Sequence, residues 1–204
     1  MAFERIGYGQ VEPNQLSAQK TGQIYASLPL DANVSVLQNG EFMYYDYATG
    51  KVTAGDGNTV GEPMLVFNEI KLYEPFWQTS YKDFAMIRVG DNYVTSRPAT
   101  GTYGDGALTE GATINPGHTE YGYRMDGIAP RLMKTNIGDI YTTNMVKTGT
   151  DVTYVAGDVL KLKKTDRNTL ELDKDGDIDT VQFVVAKVYT MPDGQAGLKL
   201  QRVK

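Results

Sequence analysis

Cysteine is absent from the 204 residues and histidine occurs once. Those two shortages exclude disulfides, thiolate metal sites, cysteine nucleophiles, Fe–S clusters and multi-histidine zinc sites. Positive charge is also scarce: 20 Lys+Arg stand against 25 Asp+Glu, giving a net charge of −5 and a pI near 4.9. A general grip on nucleic acid or on an anionic membrane rests on positive surface, so neither partner is expected. No window approaches the ~20 apolar residues of a membrane-crossing helix. The longest apolar stretch, Phe183 to Ala186 with Val188 and Tyr189 beyond it, is short and strand-like. The N-terminus MAFERIGYGQVEPNQ has no basic segment followed by an apolar one, so no signal peptide is expected. With no cysteine, the composition suits the reducing cytoplasm in which the chain is made.

Glycine and tyrosine are plentiful. Gly is 22 of 204 residues, roughly 11% against a usual ~7%, and Tyr is 14, which together favour a turn-rich, all-β chain. Residues 1–30 are rich in Gln, Gly, Ser and Ala, show neither a 3.6 nor a 2.0 period, and are expected as an extended N-terminal arm. Residues 31–148 are expected as a β-rich domain with long Gly/Thr/Pro loops. Its strongest local signal is VSVLQNGEFMYYDY, where Asn39-Gly40 predicts a hairpin between Val34–Leu37 and Phe42–Tyr45. A second turn at Thr49-Gly50 leads through a polar loop to the apolar run 64–67. The block 68–89 is ambiguous: Asn68 suits a helix cap, yet Pro75 interrupts and aromatics crowd the segment. Residues 91–117 are dominated by Gly, Thr, Pro and Asp and are expected as a long loop. Residues 149–204 carry five apolar pairs or runs, Val152/Tyr154, Leu160/Leu162, Leu170/Leu172, Val181 to Tyr189 and Leu198/Leu200, separated by Gly157-Asp158, Asp175-Gly176 and Pro192-Asp193-Gly194. This predicts a small five-stranded barrel of the SH3 or OB kind.

Candidate chemistry is thin. Asp173, Asp175, Asp177 and Asp179 in DKDGDID alternate as cation ligands do, but an EF-hand needs Gly at Ile178 and a bidentate Glu at Val184. A solvated β-turn at Asp175-Gly176 is the expected reading, and no metal or other cofactor is expected. His118, with Glu120 nearby, has the makings of a base and an orienter. No Gly-x-Ser-x-Gly elbow accompanies it, so an exposed histidine in a Gly/Pro turn is expected. A carboxylate pair for glycoside hydrolysis is not readable from spacing alone. GTYGDG and GYGQ match neither dinucleotide nor P-loop patterns. No catalytic residue is assigned, and the chain is expected not to be an enzyme.

The aromatics are the remaining signal. Tyr45 and Tyr47 share a strand face opposite Tyr44, so one face suits a core and the other a contact. Tyr73, Phe76, Trp77, Tyr81 and Phe84 suit either a core, a protein interface or a sugar platform.

Read in order, VLQNGEFMYYDYATGKVT, GEPMLVFNEIKLYE, YKDFAM and RLMKTNIGDIYTTN resemble small virion structural proteins of tailed bacteriophages that accompany the major head protein. The resemblance spans roughly residues 20–150 and lies in the order of short blocks, without a site motif. It implies a capsid decoration (cement) protein on the outer surface of the virion, partnered by the major capsid protein. A homo-oligomer, trimeric or dimeric, is expected. The alternative is a tail or head-fibre module that binds host carbohydrate, with Trp77 and the tyrosines as platforms. The expected contacts are Leu16, Ile24 and Tyr25 of the arm and Tyr73, Phe76, Trp77 and Tyr81 of the aromatic block. On this view deletion of residues 1–25 leaves a folded chain.

Overall fold

The computed structural model describes residues 3–5, 9–34, 36–56, 59–68, 86–88, 93–98, 118–123, 130–192 and 194–204. In chain order these form β1 (Val11–Gln15), a single helical turn α1 (Ala18–Thr21), β2 (Ile24–Tyr25), β3 (Val36–Gln38), β4 (Phe42–Asp46), β5 (Lys51–Thr53), β6 (Met64–Val66), β7 (Met86–Arg88), β8 (Tyr93–Pro98) and β9 (His118–Tyr123). The remaining strands are β10 (Leu132–Met133), β11 (Ile140–Thr143), β12 (Val159–Lys164), β13 (Leu170–Asp173), β14 (Ile178–Thr190) and β15 (Ala196–Arg202).

The fold is all-β. One antiparallel sheet runs β1-β11-β15-β14-β12-β13-β4-β6-β10-β2, with β5 added to β4, and it curls into a half-barrel. Two further pairs, β3 with β7 and β8 with β9, stand outside it. The curl follows from a one-sided pattern. Leu160 and Leu162, Leu170 and Leu172, Val181, Phe183 and Val185, and Leu198 and Leu200 are all buried at 1% exposure or less. These period-2 residues share one face and leave Lys161, Lys163, Gln182, Lys199 and Gln201 on the other. Phe183 sits centrally, its ring 5.4 Å from Phe42 and 5.6 Å edge-on to Tyr141. Each such pair adds about 0.5–1.5 kcal/mol beyond simple burial.

The N-terminal segment is not a free arm. Val11 and Glu12 pair with Thr143 and Thr142, Ile24 and Tyr25 pair with Met133 and Leu132, and Leu16 and Ala18 are buried. Sequence periodicity missed β1 because Pro13, which has no N–H to donate, falls where its register shifts, as proline does at sheet edges. β1 and β2 are the two ends of the sheet, and residues 16–23 span the gap between them. Residues 134–139 span the same gap from β10 to β11. The two straps bond to each other: Ser17 Oγ donates to Asp139 Oδ2 at 3.0 Å, and Asn136 Nδ2 donates to Ser17 Oγ at 2.7 Å and Gln23 Oε1 at 3.0 Å.

Asn39-Gly40 makes the expected turn but not a hairpin. β3 pairs with β7, whereas β4 pairs with β5, β6 and β13. Gly40, at φ +94°, is a corner where the chain passes from one sheet to another. A hairpin forms instead at Thr49-Gly50, joining β4 to β5. Asp46 nucleates it by accepting from Ala48 N at 2.9 Å and Thr49 Oγ1 at 2.7 Å.

Residues 149–204 supply four strands of the common sheet rather than a separate five-stranded barrel. β15 pairs with β11 and β13 meets β4, so the sheet crosses the expected boundary. Val152 and Tyr154 form no strand; Tyr154 is buried edge-on against Phe3 at 5.2 Å. Within the expected loop 91–117, β8 is a strand whose partner is β9.

Candidate contact surface

β2 and β4 bring three tyrosines into a row. Tyr45 stands with its ring 5.3 Å from Tyr25 and 5.1 Å from Tyr47. Tyr45 is buried, and its hydroxyl makes a short hydrogen bond with Ser27 Oγ. Tyr25 is half-buried, and Tyr47 is 75% exposed. The row therefore climbs from the core to solvent and ends in a supported, exposed ring. Tyr44 is buried as well, packed under Gly55, so the expected division of these tyrosines into a core face and a contact face falls instead between Tyr45 and Tyr47.

Of the other expected contact residues, Leu16 is core and Ile24 packs against the core from β2. Among the described ones only Tyr25 joins a surface feature. Tyr73, Phe76, Trp77, Tyr81 and Phe84 lie outside the described residues.

Beside Tyr47 a cleft of about 430 Å³ is lined by Asp31, Asp46 and Asp56 with Asn33, Asn168 and several threonines. Bonds from Thr49 and Ala48 hold the exposed Asp46 carboxyl below its ordinary range. Lys164 Nζ donates to Gly55 O at 3.1 Å and is the one cation among the described residues of the lining.

A second cluster is buried. Glu41 follows the Gly40 corner and is fully enclosed. Its Oε1 accepts from Arg167 Nη2 at 2.6 Å and Thr169 Oγ1 at 2.9 Å, and its Oε2 accepts from Gln38 N at 2.7 Å. Arg167 also lies 3.5 Å from Glu171. Burial is the largest influence on Glu41 and pushes its carboxyl up to about 7, with Arg167 opposing. Burial likewise raises Glu171 and lowers Arg5, which face each other across the cluster. Arg167, Glu171 and Asp173 with Lys147, Lys163 and Lys164 line a shallow cleft of about 330 Å³. Positive and negative groups alternate there, which suits an internal ionic clasp better than a pocket for one kind of ion.

The aspartate run is taken up by the β13–β14 turn. Asp173 Oδ1 accepts from Asp175 N at 3.0 Å, Gly176 N reaches Asp173 O at 3.3 Å, and Asp179 pairs with Lys204 at 3.1 Å. Among the described residues no three acidic or histidine side chains gather as a cation cage. His118 begins β9, its backbone opposite Pro98.

Sequence reasoning missed Glu41, Glu171 and Arg202 as buried charges. Arg202 is 4% exposed, donates through Nε to Lys204 O at 2.7 Å and through Nη1 to Thr135 O, and pairs with Glu62 at 3.3 Å. Its alternation with Leu198 and Leu200 was the available signal, since it places residue 202 on the inner face.

No family model matches the chain, and no curated protein and no solved structure matches it either.

Proposed function

We propose that the chain is a non-enzymatic structural protein of a tailed-phage virion, a capsid decoration protein. In this reading it binds the major capsid protein on the outer surface of the head and stabilises the shell by bridging capsomers. The resemblance of the blocks between residues 20 and 150 supplies the class. The observation that carries the contact role is the row Tyr25–Tyr45–Tyr47. An exposed tyrosine held on a packed, hydrogen-bonded neighbour loses little freedom on docking, which is how aromatic anchors gain affinity. The net charge of −5 keeps a heavily decorated particle soluble.

The test is co-sedimentation of the full chain with purified heads that lack it. The wild-type chain is expected to bind, and Tyr47→Ala to weaken binding roughly tenfold or more, the size of a hot-spot loss. Failure of the wild-type chain to bind heads overturns the reading.

The second reading, a tail or head-fibre module for host carbohydrate, is favoured by the cleft beside Tyr47, whose carboxylates, amides and hydroxyls are the groups that bond sugar hydroxyls. Glycan-array binding lost in Tyr47→Ala, with no head binding, is its expected signature.

A further inference from the structure

The outer face of the central strands is unevenly built. Register sets Val159 of β12 beside Val184 of β14, Val184 beside Gln201 of β15, and Gln201 beside Ile140 of β11. Val155 adjoins this row, because Gly157 N is bonded to Val185 O at 2.8 Å. Val155 and Val159 are 60% and 45% exposed. The next row on this face reads Glu12, Thr142, Lys199, Lys187. Lys187 and Lys199 are direct cross-strand partners, an arrangement that destabilises a sheet when nothing intervenes. Neither enters any ion pair among the described residues. Glu12 lies two strands from Lys199, roughly 10 Å away at the usual strand spacing.

The opposite charge sits at the opposite end of the same strands. β12 runs from Val159 to Lys164, and Lys164 and Asn168 line the cleft that holds Asp31, Asp46 and Asp56. At ~3.3 Å per residue β12 sets Val159 and Lys164 about 17 Å apart, and the lysine row lies beyond the Val159 end. Among the described lining residues three carboxylates, of which Asp56 is bonded to Thr59, share the cleft with one lysine, and Val60, beside Thr59, is 89% exposed. One end thus offers two unpaired lysines with exposed valines, and the other offers an acidic cleft with an exposed valine.

We propose that copies of this chain associate head to tail, Lys187 and Lys199 of one copy seated on the Asp31/Asp46/Asp56 end of the next. The contact joins two different patches, so it closes into a ring or runs on as a filament, according to the rotation between copies. It occupies the cleft beside Tyr47, so a sugar bound in that cleft competes with it, whereas binding to heads is measured separately.

Light scattering or sedimentation of the full chain over a concentration series tests this. The wild type is expected to exceed the 22.5 kDa of one chain, and to fall back toward it as salt is added. Lys187→Glu with Lys199→Glu, and separately Asp31→Lys with Asp56→Lys, are expected to remain monomeric, and the chain carrying all four changes to associate again. Circular dichroism establishes that each variant is folded; if a reversal unfolds the chain, Lys187→Gln with Lys199→Gln replaces it. A wild type that is monomeric throughout, association indifferent to salt and to both reversals, or four changes that fail to restore it each overturn the head-to-tail contact. So does a monomer whose lysine pair is needed only for binding heads or anionic vesicles, since the occupant is then not a second copy.

Discussion

Glu41 and Arg167, 126 residues apart in the chain, meet at 2.6 Å and tie the Gly40 corner to the β12–β13 turn. An ion pair with one partner fully enclosed loses much of its Coulombic gain to desolvation, and here desolvation prevails, leaving the Glu41 carboxyl up at about 7. A carboxyl raised in the folded state makes folding most favourable where it is protonated in both states. Its contribution is therefore fully present below the ordinary value of 4.5, is lost as pH rises through about 7, and is level above that. The span corresponds to about 3 kcal/mol at most. Glu171, also raised by burial, acts in the same direction. Urea melts of the wild type and Glu41→Gln at pH 5 and pH 8 should show the variant gaining relative stability at the higher pH. Parallel behaviour of the two proteins removes Glu41 as the titrating group.

Tyr141 of β11 is fully buried, and its hydroxyl finds no hydrogen-bond partner among the described residues. An unsatisfied buried hydroxyl costs about 1–3 kcal/mol, while the ring's edge-on contact with Phe183 does not need the oxygen. Tyr141→Phe is accordingly expected to keep the fold and raise stability by about 1 kcal/mol. A lower denaturation midpoint at unchanged slope means that the hydroxyl is bonded after all.

Much of the inner face was legible, and the reason is local. Leu160/Leu162, Leu170/Leu172 and Leu198/Leu200 alternate because a strand shows alternate residues to one side, and that needs no knowledge of the partner strand. Pairing is a different matter. Asn39-Gly40 carries the conformation of a hairpin turn, yet what pairs with β4 is decided by β5, β6 and β13, each held elsewhere in the chain. Leu16 resembles an isolated apolar residue in a polar segment until α1 is seen to lie across the gap between the sheet's two ends. The tyrosine row was half legible: Tyr45 and Tyr47 are near neighbours in sequence, but only the placement of β2 brings Tyr25 to them. Glu41 and Arg202 read as surface charges because their partners are remote in sequence.

Gly40 makes that corner testable. At φ +94° a side chain is strained, and a Cβ there would stand 2.5 Å from Met145 Cβ and 2.7 Å from Thr143 Oγ1. Gly40→Ala should cost roughly 2–4 kcal/mol, combining the backbone penalty with displacement of β11's end. Gly50 has a similar positive φ, +67°, with open space around it. Gly50→Ala should therefore cost only the backbone part, about 1 kcal/mol. Equal losses at the two positions, read by urea denaturation, would mean that Met145 yields freely.

Removal of residues 1–25 distinguishes an arm from a strap. The deletion takes away β1, α1 and β2, uncovering the edges of β11 and β10 with which the two strands paired, and it leaves Asp139 and Asn136 without Ser17 and Gln23. It also removes the buried side chains of Phe3, Leu16 and Ala18. Burying a large apolar side chain is worth about 1.5–3 kcal/mol, and a domain of this size has a net stability of only about 5–15 kcal/mol. Loss of both edge strands and the strap between them consumes most of that margin. The truncated chain should be unfolded or aggregated at room temperature, with dispersion lost from its amide NMR spectrum, while Ser17→Ala in the full chain should cost about 1 kcal/mol by removing hydrogen bonds alone. A truncated chain that melts cooperatively near the wild-type temperature would show that β1, α1 and β2 lie on a sheet already stable without them.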